Sequence, residues 1–155
     1  MNLQKNAEGG NMKIKISFFL VITLFVLYSV SVVHAVDKTL EQIIREAKAA
    51  INEVSIDEVK KMTDGKEDII LLDVRDKEEY ETGHIPGAIN ISRGTLELKA
   101  HVIIPDKTKK IIVYCGLDLR SPLATKSLND LGYKKAINMI GGLKAWKEAG
   151  YPVLK

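Results

Sequence analysis

An α/β domain with a central parallel sheet is what the sequence predicts, and three observations predict it. Short apolar runs without polar alternation, "DIILLDV" from Asp68 and "KIIVYC" from Lys110, have the pattern of strands buried on both faces. Segments of helical periodicity lie between such runs, as expected where each parallel strand is joined to the next by a crossover. With 155 residues, 46% hydrophobic and 28% charged, the chain suits one domain with one core.

The chain opens on a stretch unlike domain sequence. Lys13 and Lys15 precede an apolar run from Ile16 to Val33, and Val33 and Ala35 place small residues at the minus-three and minus-one positions of a cleavage site. Residues 1–35 therefore read as an export signal, cut after Ala35, with Met12 as a candidate true initiator. The run sits at the lower limit for spanning a bilayer, so an uncleaved membrane anchor is the alternative. The expected destination is the bacterial periplasm, or its membrane face if the leader stays attached. Removing residues 1–35 takes away Lys5, Lys13, Lys15 and Glu8, lowering the formal charge from +3 to +1. A nearly neutral domain without a basic stripe or interleaved aromatics gives no support to a nucleic-acid partner.

Thr39 and Gln42 have the form of a capping box, followed by Leu40, Ile43, Ile44, Ala47 and Ile51 at helical spacing. They predict an amphipathic helix from about 40 to 51, within an N-terminal linker region of residues 36–54. Ser55 and Glu58 start a second helix, which ends near Gly65, and residues 55–155 form the predicted main domain. Further strands are read at Ala88 ("AINI") and Ala136 ("AINMI"), and further helices at 77–81, 96–101, 121–131 and 142–148. No repeat or low-complexity tract interrupts this order.

The chain's one cysteine, Cys115, directly follows the apolar run at Lys110. Open parallel sheets bind ligands just beyond the carboxyl ends of their strands. After it come Gly116, Leu117, Asp118, Leu119, Arg120 and Ser121, then Pro122 at the start of a helix. Ser121 is the expected N-cap and Pro122 the first helical residue, which points the amide end of the helix at the loop. Such a field favours a thiolate or persulfide anion. A lone cysteine can instead be a small core residue, but the strand end, the helix start and the following arginine favour a reagent. No internal disulfide is available to a single cysteine.

The remaining candidates read as support. Asp73 ends its strand where it can pair with Arg75 or Arg120, as in structural ion networks, and Arg75 stands at helical spacing from Glu79. Arg120 can bind a donor's oxyanion or lie against a carboxylate and hold the loop. His84, in "GHIPGA", reads as a hydrogen-bonded turn residue and His101 as a surface one. No cluster has metal-ligand spacing, and neither a metal nor an organic cofactor is expected.

"LLDVRDKEEYETGHIPGAINI" at 71–91, "VYCGLDLRS" at 113–121 and "GGLKAW" at 141–146, in that order, resemble a single-domain rhodanese over about residues 55–153. The resemblance implies a five-stranded parallel sheet flanked by helices. It also implies a sulfurtransferase in which Cys115 takes a sulfane sulfur as a persulfide and gives it to a second nucleophile. Gly116, Leu117, Asp118, Leu119 and Arg120 would form its cradle of backbone amides. Implied partners are a small sulfane donor, such as thiosulfate or a polysulfide, and a thiol, cyanide or partner-protein acceptor. Four residues separate Cys115 from Arg120, whereas related dual-specificity phosphatases have five. Asp118 stands where rhodanese loops often carry glycine, and Gly116 where thiosulfate-using relatives often carry a basic residue. Thiosulfate is therefore expected to be a poor donor if the Asp118 carboxylate faces inward. A sulfur-carrying or sensing module with little turnover is the alternative reading.

Overall fold

The computed structural model describes residues 37–155, so the expected leader lies outside the described residues. Helix α1 spans Leu40–Ala49 and opens with the capping box, Thr39 and Gln42 exchanging side-chain and backbone hydrogen bonds. Strand β1 follows at Asn52–Val54, then α2 at Ile56–Asp64, capped in the same way by Ser55 and Glu58. The sequence reading carried α1 to residue 51 and left no strand before residue 55. Asn52–Val54 instead pair in parallel with Ile137–Met139, making an edge strand in which only Val54 is buried.

The remaining order is β2 (Ile69–Asp73), α3 (Lys77–Glu81), β3 (Ile89–Asn90), a 3-10 turn (Arg93–Thr95), α4 (Leu96–Ile103), β4 (Lys110–Tyr114), α5 (Ser121–Asp130), β5 (Ala136–Met139) and α6 (Gly142–Glu148). The five strands form one sheet in the order β1-β5-β4-β2-β3, every neighbouring pair parallel. The predicted α/β class and the five strands implied by the resemblance are both present.

Side chains of a strand alternate between faces, and two cores result. Ile111, Val113 and Cys115 face one layer with Leu72, Val74, Leu96, Ala100, Ala124 and Leu128. Ile112 and Tyr114 face the other with Leu71, Val59, Met139, Leu143 and Trp146. Helices α1 and α4 pack against α5, and α2 packs against α6. Strand β4 is central, paired on both edges by β2 and β5, so the residue that follows it emerges in the middle of the sheet's carboxyl end.

Candidate functional site

That residue is Cys115. It is 1% exposed, under a loop of Gly116 to Arg120 that leads directly into α5. The loop's carbonyls and amides differ in what they bond. The carbonyls of Cys115 and Gly116 accept hydrogen bonds from the amides of Leu143 (2.7 Å) and Lys144 (3.0 Å) at the start of α6. By contrast, the amides of Gly116, Leu117, Asp118, Leu119 and Arg120 donate to no acceptor among the described residues. Gly116, Asp118 and Arg120 are buried or half-buried, where N–H groups are rarely left unpaired in native proteins, so the loop offers a place for an anion. Leu117 and Leu119 are exposed by 60% and 48% and give the loop an apolar outer rim.

Asp118 supplies the turn that closes the loop. Its φ of 61° lies in the left-handed region, where aspartate is among the better tolerated non-glycine residues. Its buried carboxylate accepts from Lys48 Nζ on α1 (2.5 Å), from Asn138 Nδ2 on β5 (2.8 Å) and from Ser121 Oγ (3.5 Å). The repulsion expected from an inward-facing Asp118 is thus offset by the Lys48 cation. Ser121 differs from its predicted role. It is the first residue of α5, Arg120 occupies the cap position, and the serine hydroxyl is drawn to Asp118 instead of capping the helix.

The two arginines are held by carboxylates. Arg120 forms a two-pronged pair with Glu79 of α3, Nη1 to Oε2 at 2.7 Å and Nη2 to Oε1 at 2.8 Å, with Asp76 at 3.4 Å. That hydrogen bonding raises the arginine's pKa, aided by attraction from the Cys115 sulfur among smaller causes, and holds Glu79 below its ordinary value. Arg75 is buried and folds back on Asp73, with Nε and Nη2 on the carboxylate and Nη2 also on the Gly83 carbonyl at 2.8 Å. Its expected pairing with Glu79 does not form. Arg75 lies before α3 begins, so helical spacing does not bring the two together. His84 sits away from this constellation, stacked on Tyr80 with Nδ1 at the Tyr80 carbonyl, 3.1 Å away. His101 is exposed on α4, and no cluster of three or more His, Cys, Asp or Glu suited to a metal occurs among the described residues.

Residues 55–149 match the family of the rhodanese-like domain. The chain belongs to the rhodanese-like family. This rhodanese-like chain is 35% identical over 101 residues to YrkF of Bacillus subtilis, which carries a sulfur-carrier name; the match takes in 65% of this chain and spans about half (54%) of that protein's length. It is 35% identical over 82 residues to the thiosulfate sulfurtransferase GlpE of Coxiella burnetii, covering 53% of this chain and 75% of that one. Among solved structures it superposes on RPA3614 of Rhodopseudomonas palustris, a protein of unknown function described as a possible tyrosine phosphatase. The TM-score is 0.71 at 30% identity, covering 78% of this chain and 98% of the other.

Gly142 contributes to the rhodanese-like site in a way the "GGLKAW" motif did not disclose. Its φ is 59°, and a Cβ there would lie 2.5 Å from the Cys115 carbonyl oxygen and 3.1 Å from both the Asp118 nitrogen and the Gly116 carbonyl carbon. All three obstacles are backbone, so the loop itself would have to move. Gly142→Ala is expected to cost about 1–3 kcal/mol of stability, from strain and overpacking, and to slow sulfur loading about 10- to 100-fold through misplacement of the loop. Thermal unfolding alongside a single-turnover loading assay checks both effects. Lys48, Glu53 and Asn138 were also missed, because nothing in their local sequence points to a loop some 20 to 70 residues further along the chain or before it.

Proposed function

We propose that this protein is an exported rhodanese-type sulfurtransferase working through a persulfide on Cys115. The observation that carries the proposal is a loop of five amides, without an acceptor among the described residues, that directly follows a thiol at the carboxyl end of the central strand. In the first half-reaction the Cys115 thiolate attacks the outer sulfur of a sulfane donor. The donor's S–S bond breaks, its remainder departs with the electron pair, and Cys115 is left as a persulfide anion facing the amides. In the second half-reaction an acceptor, a thiolate or cyanide, attacks the outer sulfur and the Cys115 thiolate leaves. A covalent intermediate between two half-reactions gives ping-pong kinetics. The names of the relatives, sulfurtransferase and sulfur carrier, support the same chemistry.

Arg75, Arg120 and Lys48 each already face a carboxylate, and the loop rim is formed by leucines. This pattern supports a donor without an oxyanion head, a polysulfide or an organic persulfide, over thiosulfate, whose sulfonate oxygens call for unpaired cationic hydrogen-bond donors. It also disfavours phosphatase chemistry, since the loop is one residue shorter than in the related dual-specificity phosphatases and its arginine is committed to Glu79. Turnover-poor sulfur carriage is the second reading, favoured by the 1% exposure of Cys115. The leader supports export to the periplasm, and the amino-terminal sequence of protein recovered from that compartment tests it.

Intact-mass measurement decides between these readings. Purified protein is incubated with inorganic polysulfide, cysteine persulfide or thiosulfate, weighed, and then treated with cyanide or a thiol. A gain of one sulfur from the first two donors, discharged with turnover, is the expected result. Loading without turnover supports the carrier, and no retained sulfur from any donor overturns the proposal. Glu79→Gln, which releases the Arg120 guanidinium, is expected to lower the KM for thiosulfate about 3- to 10-fold. The change in stability should stay below about 1 kcal/mol, because the pair is partly exposed. An unchanged KM excludes Arg120 from donor binding. The depressed pKa of Glu79 keeps the wild-type clamp intact above the ordinary value of 4.5, and the clamp is lost as the pH falls through the depressed value.

A further inference from the structure

Beyond the loop, a partly buried polar cluster joins it to the N-terminal helix. Lys48, in the last turn of α1, reaches Asp118 at 2.5 Å and Glu53 of β1 at 3.3 Å. Asn138 of β5 is fully buried and donates its side-chain amide to both carboxylates, to Glu53 at 2.8 Å and to Asp118 at 2.8 Å. Its own Oδ1 has no donor among the described residues. A buried carbonyl oxygen left without a donor is unusual, so the orientation of this amide is dictated by the two carboxylates it serves. Two carboxylates and one cation thus share a pocket behind the loop, and Lys48 is the cation that compensates them. Burial opposes its charge, but the hydrogen bond and attraction of Asp118, followed by those of Glu53, outweigh this and raise its pKa.

We infer that Lys48 is a positioning residue of the sulfur-handling site, holding Asp118 in its left-handed turn and cancelling a carboxylate charge that would otherwise act on the sulfur of Cys115. Lys48 and Glu53 lie outside the family match, which begins at residue 55. The α1–β1 segment is therefore a working part of the site, not a linker. Without the ammonium, Asp118, three residues from the nucleophile in the same loop, and Glu53 on β1 stand uncompensated. Nearby negative charge disfavours an anion on that sulfur. The other charges around the loop, Arg75 with Asp73 and Arg120 with Glu79 and Asp76, are already paired and cannot replace Lys48.

The inference rests on Cys115 being the reactive group, and its test reads that group whether or not sulfur transfer occurs. Cys115 is the only cysteine in the chain, so iodoacetamide alkylation reports on it alone. In the full-length protein, Lys48→Met is expected to slow alkylation about tenfold, because uncompensated negative charge disfavours an anion on the sulfur. Lys48→Arg should retain the wild-type rate. Adding Asp118→Asn to Lys48→Met removes the uncompensated charge within the loop itself while keeping a residue suited to positive φ, and should restore the rate to within about threefold of wild type. A wild-type rate in Lys48→Met overturns the inference, as does a double variant that stays as slow as the single one. Should Lys48→Met fail to fold, Asp118→Asn alone carries the test. It leaves the Lys48 cation beside the loop and must raise the rate; an equal or lower rate overturns the inference. Normal alkylation behaviour in a protein that retains no sulfur would place the failure in the sulfurtransferase reading instead.

Discussion

Cys115→Ala is expected to abolish sulfur loading and transfer while leaving the protein folded. The two roles open to a buried cysteine make opposite demands on this variant. Cys115 is 1% exposed and belongs to the core layer of Val113, Ala124 and Leu128, so it is also a filler. Removing its sulfur leaves a small cavity worth about 1 kcal/mol, which lowers the melting temperature by roughly 3–5 °C in a domain of this size. A core filler would show that loss and nothing else. If the sulfur is the nucleophile, the same substitution drives persulfide formation and turnover to the uncatalysed background, because no other thiol exists in the chain. Calorimetry and intact mass on one sample separate the two. Retained sulfur transfer in Cys115→Ala would remove the proposed mechanism altogether.

The parts of this molecule legible in the sequence are those whose signals are local. Strands β2, β4 and β5 were readable because burial on both faces leaves a continuous apolar run, and the Cys115 loop was readable because strand, cysteine, arginine, serine and proline follow one another directly. Strand β1 gave no such signal. Three residues long, with Asn52 and Glu53 exposed at the sheet edge, it has neither the length nor the hydrophobicity that marks a strand. The orientation of each charged group was equally hidden. Arg120 had two admissible fates, and the choice was made by Glu79, 41 residues earlier, when α3 packed beside the loop. Asp118 looked like a threat to any sulfur anion until Lys48, 70 residues earlier, was found against it. Tertiary ion pairs of this kind arise from topology, which sets α1 against α5. Residue patterns within a short window do not encode them.

Asp73→Ala is expected to be the most damaging substitution for stability, at about 3–5 kcal/mol, the usual penalty for leaving a buried charge unpaired. Both members of the pair are inside the protein, Asp73 at 0% and Arg75 at 5% exposure. The carboxylate accepts the Arg75 backbone amide at 2.9 Å and three contacts from the guanidinium between 2.6 and 3.0 Å. It also acts on Tyr114 across the β2–β4 pairing, where burial first and then the Asp73 charge push the phenol above its ordinary pKa. With the carboxylate gone, the guanidinium retains only the Gly83 carbonyl and cannot reach water without opening the turn around it. Since domains are stable by only about 5–15 kcal/mol, the loss places the variant near its unfolding threshold. Removing both charges should be milder than removing one, so Asp73→Ala combined with Arg75→Met is expected to recover part of the lost stability. Urea unfolding followed by the fluorescence of Trp146, the single and fully buried tryptophan, measures each step. If the double variant is no more stable than Asp73→Ala alone, the carboxylate's hydrogen bond from the Arg75 backbone amide, and not its pairing with the guanidinium, is what holds the end of β2.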